Sequence, residues 1–217
     1  MKNFITTKQL MNEFLESLKG CQKYFIIEGT RGGGKSTTTT WLREQIPYSQ
    51  LVRLSGTADK SPTGLEKVYK ARLADLQFAE TLIGCDLHLI NDRCFLTENV
   101  YADYLGYKEY SFQEQTNELA KKLNSLPYKE IYLLNMYVKD LFVLEERLKR
   151  DKADFQNLKF SVEESLEQQI AYRKAIDNLI PLIPNVKVFH VDASGTIEDN
   201  QRKILNIFTG RTESIDV

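Results

Sequence analysis

The chain lacks long apolar runs and has few cysteines. None of its apolar stretches approaches the ~20 residues that a membrane-spanning helix needs. Its start, MKNFITTKQLMNEFLESLKG, is polar and amphipathic, which argues against a secretory signal. The three cysteines, Cys21, Cys85 and Cys94, are an odd number without a CxxC pair, so we expect reduced and mostly buried thiols. These features predict a soluble cytoplasmic protein without a membrane partner.

The chain also lacks an excess of charge of either sign. With 29 Lys and Arg against 30 Asp and Glu, its formal net charge is −1, so no overall field attracts nucleic acid. There is no internal repeat, low-complexity linker or Pro/Gly-rich seam, and 217 residues with 42% hydrophobic content suit one domain. We therefore expect a single domain over residues 1–217. It would carry an amphipathic N-terminal helix within residues 1–20 and a loosely held tail over residues 209–217.

Short apolar runs alternate with longer helical stretches along the chain. Unbroken apolar runs are typical of buried parallel strands, and they occur at residues 24–27, 51–54, 87–90, 131–136 and 186–191. Helical patterns occupy the intervals, at residues 37–45, 65–83, 111–126, 141–150 and 162–180. Ser161 with Glu164 forms a capping box before the last of these, and Pro181 follows its end. This alternation predicts an α/β fold with a parallel sheet.

The residues after the first predicted strand carry the strongest motif. Residues 29–36, GTRGGGKS, match G-x-x-x-x-G-K-[ST] between a strand and a helix, as a phosphate-binding loop requires. In such a loop, backbone N–H groups surround a phosphate, Lys35 bridges the β- and γ-phosphates of ATP, and the Ser36 hydroxyl binds Mg²⁺. The predicted nucleotide-binding residues are Gly29, Thr30, Arg31, Gly32, Gly33, Gly34, Lys35, Ser36 and Thr37.

A second charged feature ends the third predicted strand, where LHLIN is followed by Asp92 and Arg93. An acidic residue at the tip of a strand beside a phosphate-binding loop binds the metal directly or through water, so Asp92 is the candidate metal ligand together with Ser36. Arg93 would point its guanidinium toward the phosphates between donor and acceptor. The two segments together favour phosphoryl transfer.

With these segments the chain resembles the thymidylate kinase and deoxynucleoside kinase family of P-loop phosphotransferases. IEGTRGGGKST is similar to the family's opening, including Glu28, and DRCFLTENVY at residues 92–101 is similar to its DR segment. IYLL at residues 131–134, ERLKR at 146–150 and VFHVDA at 188–193 resemble its fourth strand, the start of its lid and its closing strand and turn. A last helix from Ile197 also fits. The resemblance spans about residues 22–208.

This resemblance implies a three-layer P-loop NTPase fold, in which helices flank a five-stranded parallel sheet, as in nucleoside monophosphate kinases. It also implies ATP and Mg²⁺ as cofactors, a nucleotide or nucleoside acceptor, and a possible homodimer. A lid would span about residues 145–160, where Arg147 and Arg150 would close over the γ-phosphate and exclude water. Lys35, Asp92 and Arg93 would complete the catalytic set.

The same resemblance assigns residues to the acceptor. Arg53, at the end of the second strand, would contact the acceptor's phosphate, and Arg72 would help to read its base. Thr97 and Tyr101, in the DR segment, would lie on the acceptor side as well. Trp41, on the helix after the phosphate-binding loop, is interpreted as packing.

Two departures bear on the acceptor. Arg31 stands where the family usually carries an acidic residue, and a cation there suits an additional phosphate or a different acceptor. The stretch between Arg53 and Arg72 is shorter than its counterpart and contains the turn-rich SGTADKSPTG. The chain also has about twenty residues before its first strand, whereas typical members begin nearly at that strand.

Four functions stay open at this point. The first is a kinase of a nucleoside monophosphate, with a thymidylate-like acceptor. The second is a deoxynucleoside kinase, which is disfavoured because Arg53-Leu54-Ser55 offers no glutamate to accept the proton of a hydroxyl acceptor. The third is a kinase of a polynucleotide or modified base, which Arg31 favours and the neutral charge disfavours. The fourth is a nucleotide-binding protein without transfer activity. No guanine-reading NKxD sequence is present, which disfavours a GTPase.

Overall fold

A computed structural model describes residues 5–54, 59, 61–105, 112–151 and 162–212. Its elements are, in order, α1 Thr7–Ser17, β1 Lys23–Gly29, α2 Lys35–Gln45, β2 Ser49–Arg53, α3 Pro62–Ile83, β3 His88–Asp92, α4 Leu96–Leu105, α5 Phe112–Asn124, β4 Glu130–Tyr137, α6 Leu141–Asp151, α7 Val162–Leu179, β5 Val186–Asp192 and α8 Ile197–Phe208. A 3-10 turn at Ile180–Leu182 follows α7. The strands form one parallel sheet in the order β2-β3-β1-β4-β5, which confirms the predicted α/β fold.

Helices cover both faces of this sheet. On one face α1, α2 and α8 pack against side chains of β1, β4 and β5, including Phe25, Tyr132 and Phe189. On the other face α3, α5 and α7 pack against alternate residues of the same strands, such as Tyr24 and Ile131. Because strands covered on both sides bury every residue, they read as the unbroken apolar runs seen in the sequence. β1, at the centre, is buried at all its positions.

Local signals set several helix starts. Thr6 and Gln9 form a capping box before α1, and Ser61 caps α3, whose first residue is Pro62. The capping box predicted from Ser161 lies outside the described residues. None of the helices in the described part of the chain is long and apolar enough to cross a membrane.

Helix α4 is the element that the sequence patterns did not predict. Its first turns are buried at Leu96, Thr97, Asn99 and Val100, because α4 lies between α5, α7 and β1. A helix buried on several sides has no polar face and therefore lacks the amphipathic period that identifies surface helices. The boundaries of the other helices and strands agree with the predictions to within a few residues.

The expectation for the cysteines changes in part in the structure. Cys94 is buried as expected and Cys21 is half-buried, but Cys85 is exposed, because it follows the end of α3. At residues 209–212 the Thr209 hydroxyl donates to the Leu205 carbonyl at 2.8 Å, and the Arg211 guanidinium pairs with Glu13 at 2.6 Å. The loosely held tail over residues 209–217 stays a prediction. Residues 213–217 lie outside the described part.

The N-terminal helix closes the core on its face of the sheet. Phe14 is fully buried, with ring centroids 5.9 Å from Phe25 and 5.0 Å from Phe208. We expect Phe14→Leu to lower the free energy of unfolding by about 1–2 kcal/mol, because it removes volume and aromatic contacts together. Urea unfolding followed by circular dichroism measures this loss. Phe142→Leu, at a side chain that is 71% exposed, is the control, and an equal loss in both variants would show that α1 is not part of the core.

Candidate active site

The polar residues singled out in the sequence meet at the carboxyl edge of the sheet. β1, β2 and β3 run parallel, with Ile27 and Arg53 both in register with Asp92. Their carboxyl ends therefore lie side by side, and the loops that follow them share one crevice. This edge is where ligands bind in open parallel α/β sheets.

The phosphate-binding loop connects β1 to α2 and needs glycine at defined places. Gly29 has a φ of 127°, and a Cβ there would lie 2.1 Å from the carbonyl oxygen of Met136 on β4. Gly34, with a φ of 82°, is the N-cap of α2, which begins at Lys35. The unsatisfied N–H groups and positive dipole end of α2 thus face the loop, as an anion site requires.

Lys35 is a buried cation at the start of α2. Its side chain donates from Nζ to the Thr30 carbonyl at 2.6 Å, and the residue is 6% exposed. Burial, with a contribution from Arg93, lowers the pKa of Lys35 to about 7. A nearby phosphate would raise this pKa again and favour the charged ammonium. The place of Lys35 at the start of α2 therefore suits a side chain that binds a phosphate.

Ser36 and Asp92 form the candidate metal site. The Ser36 hydroxyl donates to Asp92 Oδ2 at 2.8 Å, and the Thr39 hydroxyl lies 3.4 Å from the same oxygen. Hydroxyl and carboxylate oxygens are the ligands that Mg²⁺ prefers, and Mg²⁺ usually takes one or two protein carboxylates with water and phosphates. Among the described residues, no group of three or more His, Cys, Asp and Glu side chains could hold a metal ion. The Ser36 hydroxyl and the Asp92 carboxylate, by their chemistry, fit Mg²⁺ brought with a nucleotide.

Arg93 occupies a strained turn after β3. Its φ is 81°, in the left-handed region, and its N–H donates to the Ile27 carbonyl at 3.0 Å. Burial lowers the pKa of Arg93, but nearby Tyr172, Glu28 and Tyr101 outweigh that effect and hold its pKa above the ordinary value. The guanidinium is therefore charged at every physiological pH. Arg93 also lines the cavity beside the phosphate-binding loop.

That cavity has a volume of about 380 Å³. Its lining includes residues of the phosphate-binding loop and five cationic side chains, which are Arg31, Lys35, Arg93, Arg147 and Arg150. Its remaining wall includes Trp41, Ile197, Asn200 and Gln201. This wall was not predicted as part of the site, and Trp41 lines the cavity besides packing against the core. The apolar side chains of Trp41 and Ile197 beside a cationic cradle suit a ligand that has both phosphates and a flat ring.

Arg147, on α6, hydrogen-bonds two of the loops that line this cavity. Its guanidinium donates to the carbonyls of Gly32 at 3.0 Å, Ala193 at 2.8 Å and Gly195 at 3.4 Å. These bonds join the phosphate-binding loop to the turn after β5. Its predicted place over the γ-phosphate stays a prediction, as does that of Arg150. Residues 152–160 of the predicted lid lie outside the described part.

Arg53 lies close to the candidate metal site. Its Nε is 3.9 Å from Asp92 Oδ2, and its Nη2 donates to the Thr40 hydroxyl at 2.7 Å. The Arg53 side chain is 58% exposed, so the aqueous medium screens the attraction to Asp92. The guanidinium is thus within reach of an anionic acceptor beside the phosphate-binding loop. Its role with the acceptor's phosphate stays a prediction.

The other predicted acceptor residues are engaged with protein partners. Arg72, 6% exposed on α3, donates to both oxygens of Glu98 at 2.7 and 3.2 Å and to Asp75 at 3.1 Å. Thr97 donates to Glu28, and Tyr101 hydrogen-bonds Arg93. The roles predicted for Arg72, Thr97 and Tyr101 with the acceptor stay predictions. Glu98 was not singled out from the sequence, because its partner lies 26 residues away.

The fold and the site together define a class. The chain has a parallel sheet in the order β2-β3-β1-β4-β5, a phosphate-binding loop between β1 and α2, and an Asp-Arg pair at the end of β3. Together they form a P-loop fold. No protein-family model and no curated protein sequence matches the chain.

Solved structures are similar over most of the chain. A deoxyadenosine kinase from M. mycoides with dCMP and dCDP bound matches 88% of this chain and 100% of its own, with a TM-score of 0.51 and 17% identity. A thymidylate kinase from Candida albicans matches 90% of this chain and 97% of its own, at 0.52 and 19%. Polyphosphate kinase 2 from Arthrobacter aurescens TC1 matches 97% of this chain and 78% of its own, at 0.50 and 15%. The chain has the fold of these P-loop kinases.

Proposed function

We propose that the chain is an ATP- and Mg²⁺-dependent phosphotransferase that acts on a nucleoside monophosphate, similar to a thymidylate kinase. The observation that carries the proposal is the pairing of the Ser36 hydroxyl with the Asp92 carboxylate at 2.8 Å, beside a cavity lined by Lys35 and Arg93. A phosphate cradle alone would suit many nucleotide-binding proteins. A metal-ligating pair with an arginine at the same edge is what phosphoryl transfer needs.

For phosphoryl transfer the protein must align the donor and the acceptor and neutralise negative charge. An oxygen of the acceptor's phosphate forms a bond to the γ-phosphorus of ATP while the bond to the β-phosphate oxygen breaks, which gives ADP and a nucleoside diphosphate. Mg²⁺ bound at Ser36 and Asp92 would neutralise charge on the β- and γ-phosphates. Lys35 would hold the same phosphates from the loop, and Arg93 would face the group in transit. Arg53, near Asp92, would orient the acceptor's phosphate.

A deoxynucleoside kinase is the second candidate, and the deoxyadenosine kinase fold neighbour supports it. No glutamate follows β2 directly, which favours an acceptor that already carries a phosphate. A polynucleotide acceptor is disfavoured by the near-neutral net charge. The homodimer and the cytoplasmic location expected from the sequence stay predictions.

The deciding experiment is a panel of acceptors. Purified protein with Mg²⁺ and ATP is given nucleoside monophosphates, nucleosides, 5′-hydroxyl oligonucleotides or inorganic polyphosphate, and ADP and phosphorylated product are both followed. The proposal expects product from a nucleoside monophosphate. Product from another acceptor only would replace the substrate class, and ADP with free phosphate in every case would overturn the kinase function.

Charge reversal at Arg31 is expected to change the choice of acceptor. Arg31 lines the cavity in the phosphate-binding loop, where a cation can contact an additional phosphate. A charge-assisted hydrogen bond contributes about 1.5–3 kcal/mol, so Arg31→Asp should lower kcat/KM for the best phosphorylated acceptor by about 10-fold or more. The KM for ATP should change by less than about 3-fold, because Lys35 and Ser36 hold the donor.

Arg43→Asp is the matched control, because it reverses an exposed charge on α2 outside the cavity lining. The acceptor panel is measured with both variants. An unchanged ranking of acceptors in Arg31→Asp, or an equal change in both variants, would show that Arg31 does not select the acceptor.

A further inference from the structure

Glu28 is a fully buried carboxylate between the phosphate-binding loop and the turn after β3. Its Oε1 accepts the Cys94 N–H at 2.6 Å, and the Thr97 hydroxyl donates to Oε2 at 3.1 Å. The Tyr172 hydroxyl donates in turn to the Thr97 oxygen at 3.2 Å. Burying a carboxylate costs free energy unless it is paired and hydrogen-bonded. The full burial of Glu28 therefore needs a structural or functional explanation.

The turn that Glu28 holds is the one that carries Arg93. A non-glycine residue at a φ of 81° is strained and persists only where its surroundings fix it. Here the N–H of Arg93 donates to the carbonyl of Ile27, and the next N–H, of Cys94, donates to Glu28. Two consecutive residues of β1 therefore hold two consecutive amides of the turn. Without the Glu28 bond, the turn could relax to an unstrained conformation that moves Arg93.

Glu28 also places a carboxylate next to the cations of the candidate active site. Burial raises the pKa of its carboxyl above the ordinary value, although the Cys94 N–H and the positive charges of Arg93 and Lys35 offset part of that rise. Those two cations both line the cavity, and Glu28 itself does not. Its carboxylate thus lies behind the cations and attracts both of them without meeting the ligand.

We propose that Glu28 is a positioning residue whose carboxylate fixes the β3–α4 turn, so that Arg93 faces the phosphate cavity. Thr97, on α4, donates to this carboxylate, and Tyr172, on α7, donates to Thr97. The proposal rests on the proposed phosphotransferase function and adds to it a residue that touches neither donor nor acceptor. Motif matching alone does not give this role, since the partners of Glu28 lie 66 and 69 residues away.

The test is a double-mutant cycle between Glu28 and Arg93. Glu28→Gln keeps one oxygen, but its NH₂ group cannot accept from Thr97, and loss of the charge weakens the bond from the Cys94 N–H. The variant should lower kcat by about 100-fold through misplacement of Arg93. The KM for ATP should change by less than about 3-fold, because the phosphate-binding loop is intact. If Glu28 acts through Arg93, adding Glu28→Gln to Arg93→Ala should lower kcat by no more than about 3-fold further.

Hydrogen exchange of residues 92–98 gives a second measurement that needs no activity. Exchange of these amides should be faster in Glu28→Gln than in the wild type. Glu130→Gln is the matched control, since Glu130 is a half-buried, ion-paired carboxylate at the amino end of β4. It should leave both kcat and this exchange unchanged. If Glu28→Gln does not fold, Tyr172→Phe, which removes one hydroxyl, should show the same changes at smaller size.

The outcomes separate the two proposals. If the wild type transfers phosphate and the effects of Glu28→Gln and Arg93→Ala multiply, the positioning role is overturned while the function stands. If the wild type transfers phosphate to no acceptor, the function is overturned, and unchanged exchange at residues 92–98 would overturn the positioning role as well.

Discussion

Lys35→Ala is expected to lower the rate of phosphoryl transfer by at least about 10³-fold, because it removes a preorganised charge aimed at the donor's phosphates. The fold should tolerate the change. The Lys35 ammonium is buried and burial lowers its pKa to about 7, so its charge does not favour the folded state at neutral pH. The melting temperature should therefore shift by less than about 4 °C. Product formation at saturating ATP measures the loss, and calorimetry measures the unfolding.

Lys129→Ala is the control for this variant. Lys129 also donates from Nζ to a backbone carbonyl, that of Gly20 at 2.7 Å, but it precedes β4 at the other end of the sheet. Its replacement should leave turnover unchanged. If Lys35→Ala retained turnover, the phosphate-binding loop would have no part in the mechanism.

The second large effect is expected for Asp92→Asn. The substitution keeps the size of the side chain and one oxygen near Ser36, but it removes the negative charge that favours a divalent cation. Transfer should fall by about 10²–10³-fold. ATP affinity, measured by calorimetry with and without Mg²⁺, should lose most of its dependence on the metal. That binding measurement does not depend on turnover.

Asp86→Asn is the matched control, because Asp86 lies before the other end of the same strand. Its φ of 55° is a conformation that asparagine adopts readily, so the fold should be undisturbed. ATP binding in this variant should keep the Mg²⁺ dependence of the wild type. If Asp92→Asn keeps it too, Asp92 is not a metal ligand.

Much of the fold could be predicted because its signals are local. The strands read as apolar runs, since helices cover them on both sides, and the phosphate-binding loop is a contiguous motif between β1 and α2. Asp92 and Arg93 follow a strand directly, so their place at the sheet edge follows from the topology of parallel strands.

What could not be predicted depends on contacts between distant residues. Helix α4 is buried on several sides and so shows no amphipathic period. The pairing of Arg72 with Glu98 and the bonds of Glu28 join residues 26 to 69 positions apart. Trp41 and Asn200 share a cavity wall only after β5 and α8 have packed. Their residue types gave no signal, because tryptophan on a helix and asparagine near a cap are common without any ligand.

The central position of β1 has a consequence for the order of folding during synthesis. β1 carries the phosphate-binding loop, yet its neighbours in the sheet begin at His88 and Glu130, far along the chain. Long-range pairings of this kind close large loops and form late. The loop sequence leaves the ribosome early, but Arg93, Met136 and Ala193 must follow before the cavity exists. Nucleotide binding by a nascent chain would therefore report that nearly the whole sheet has assembled.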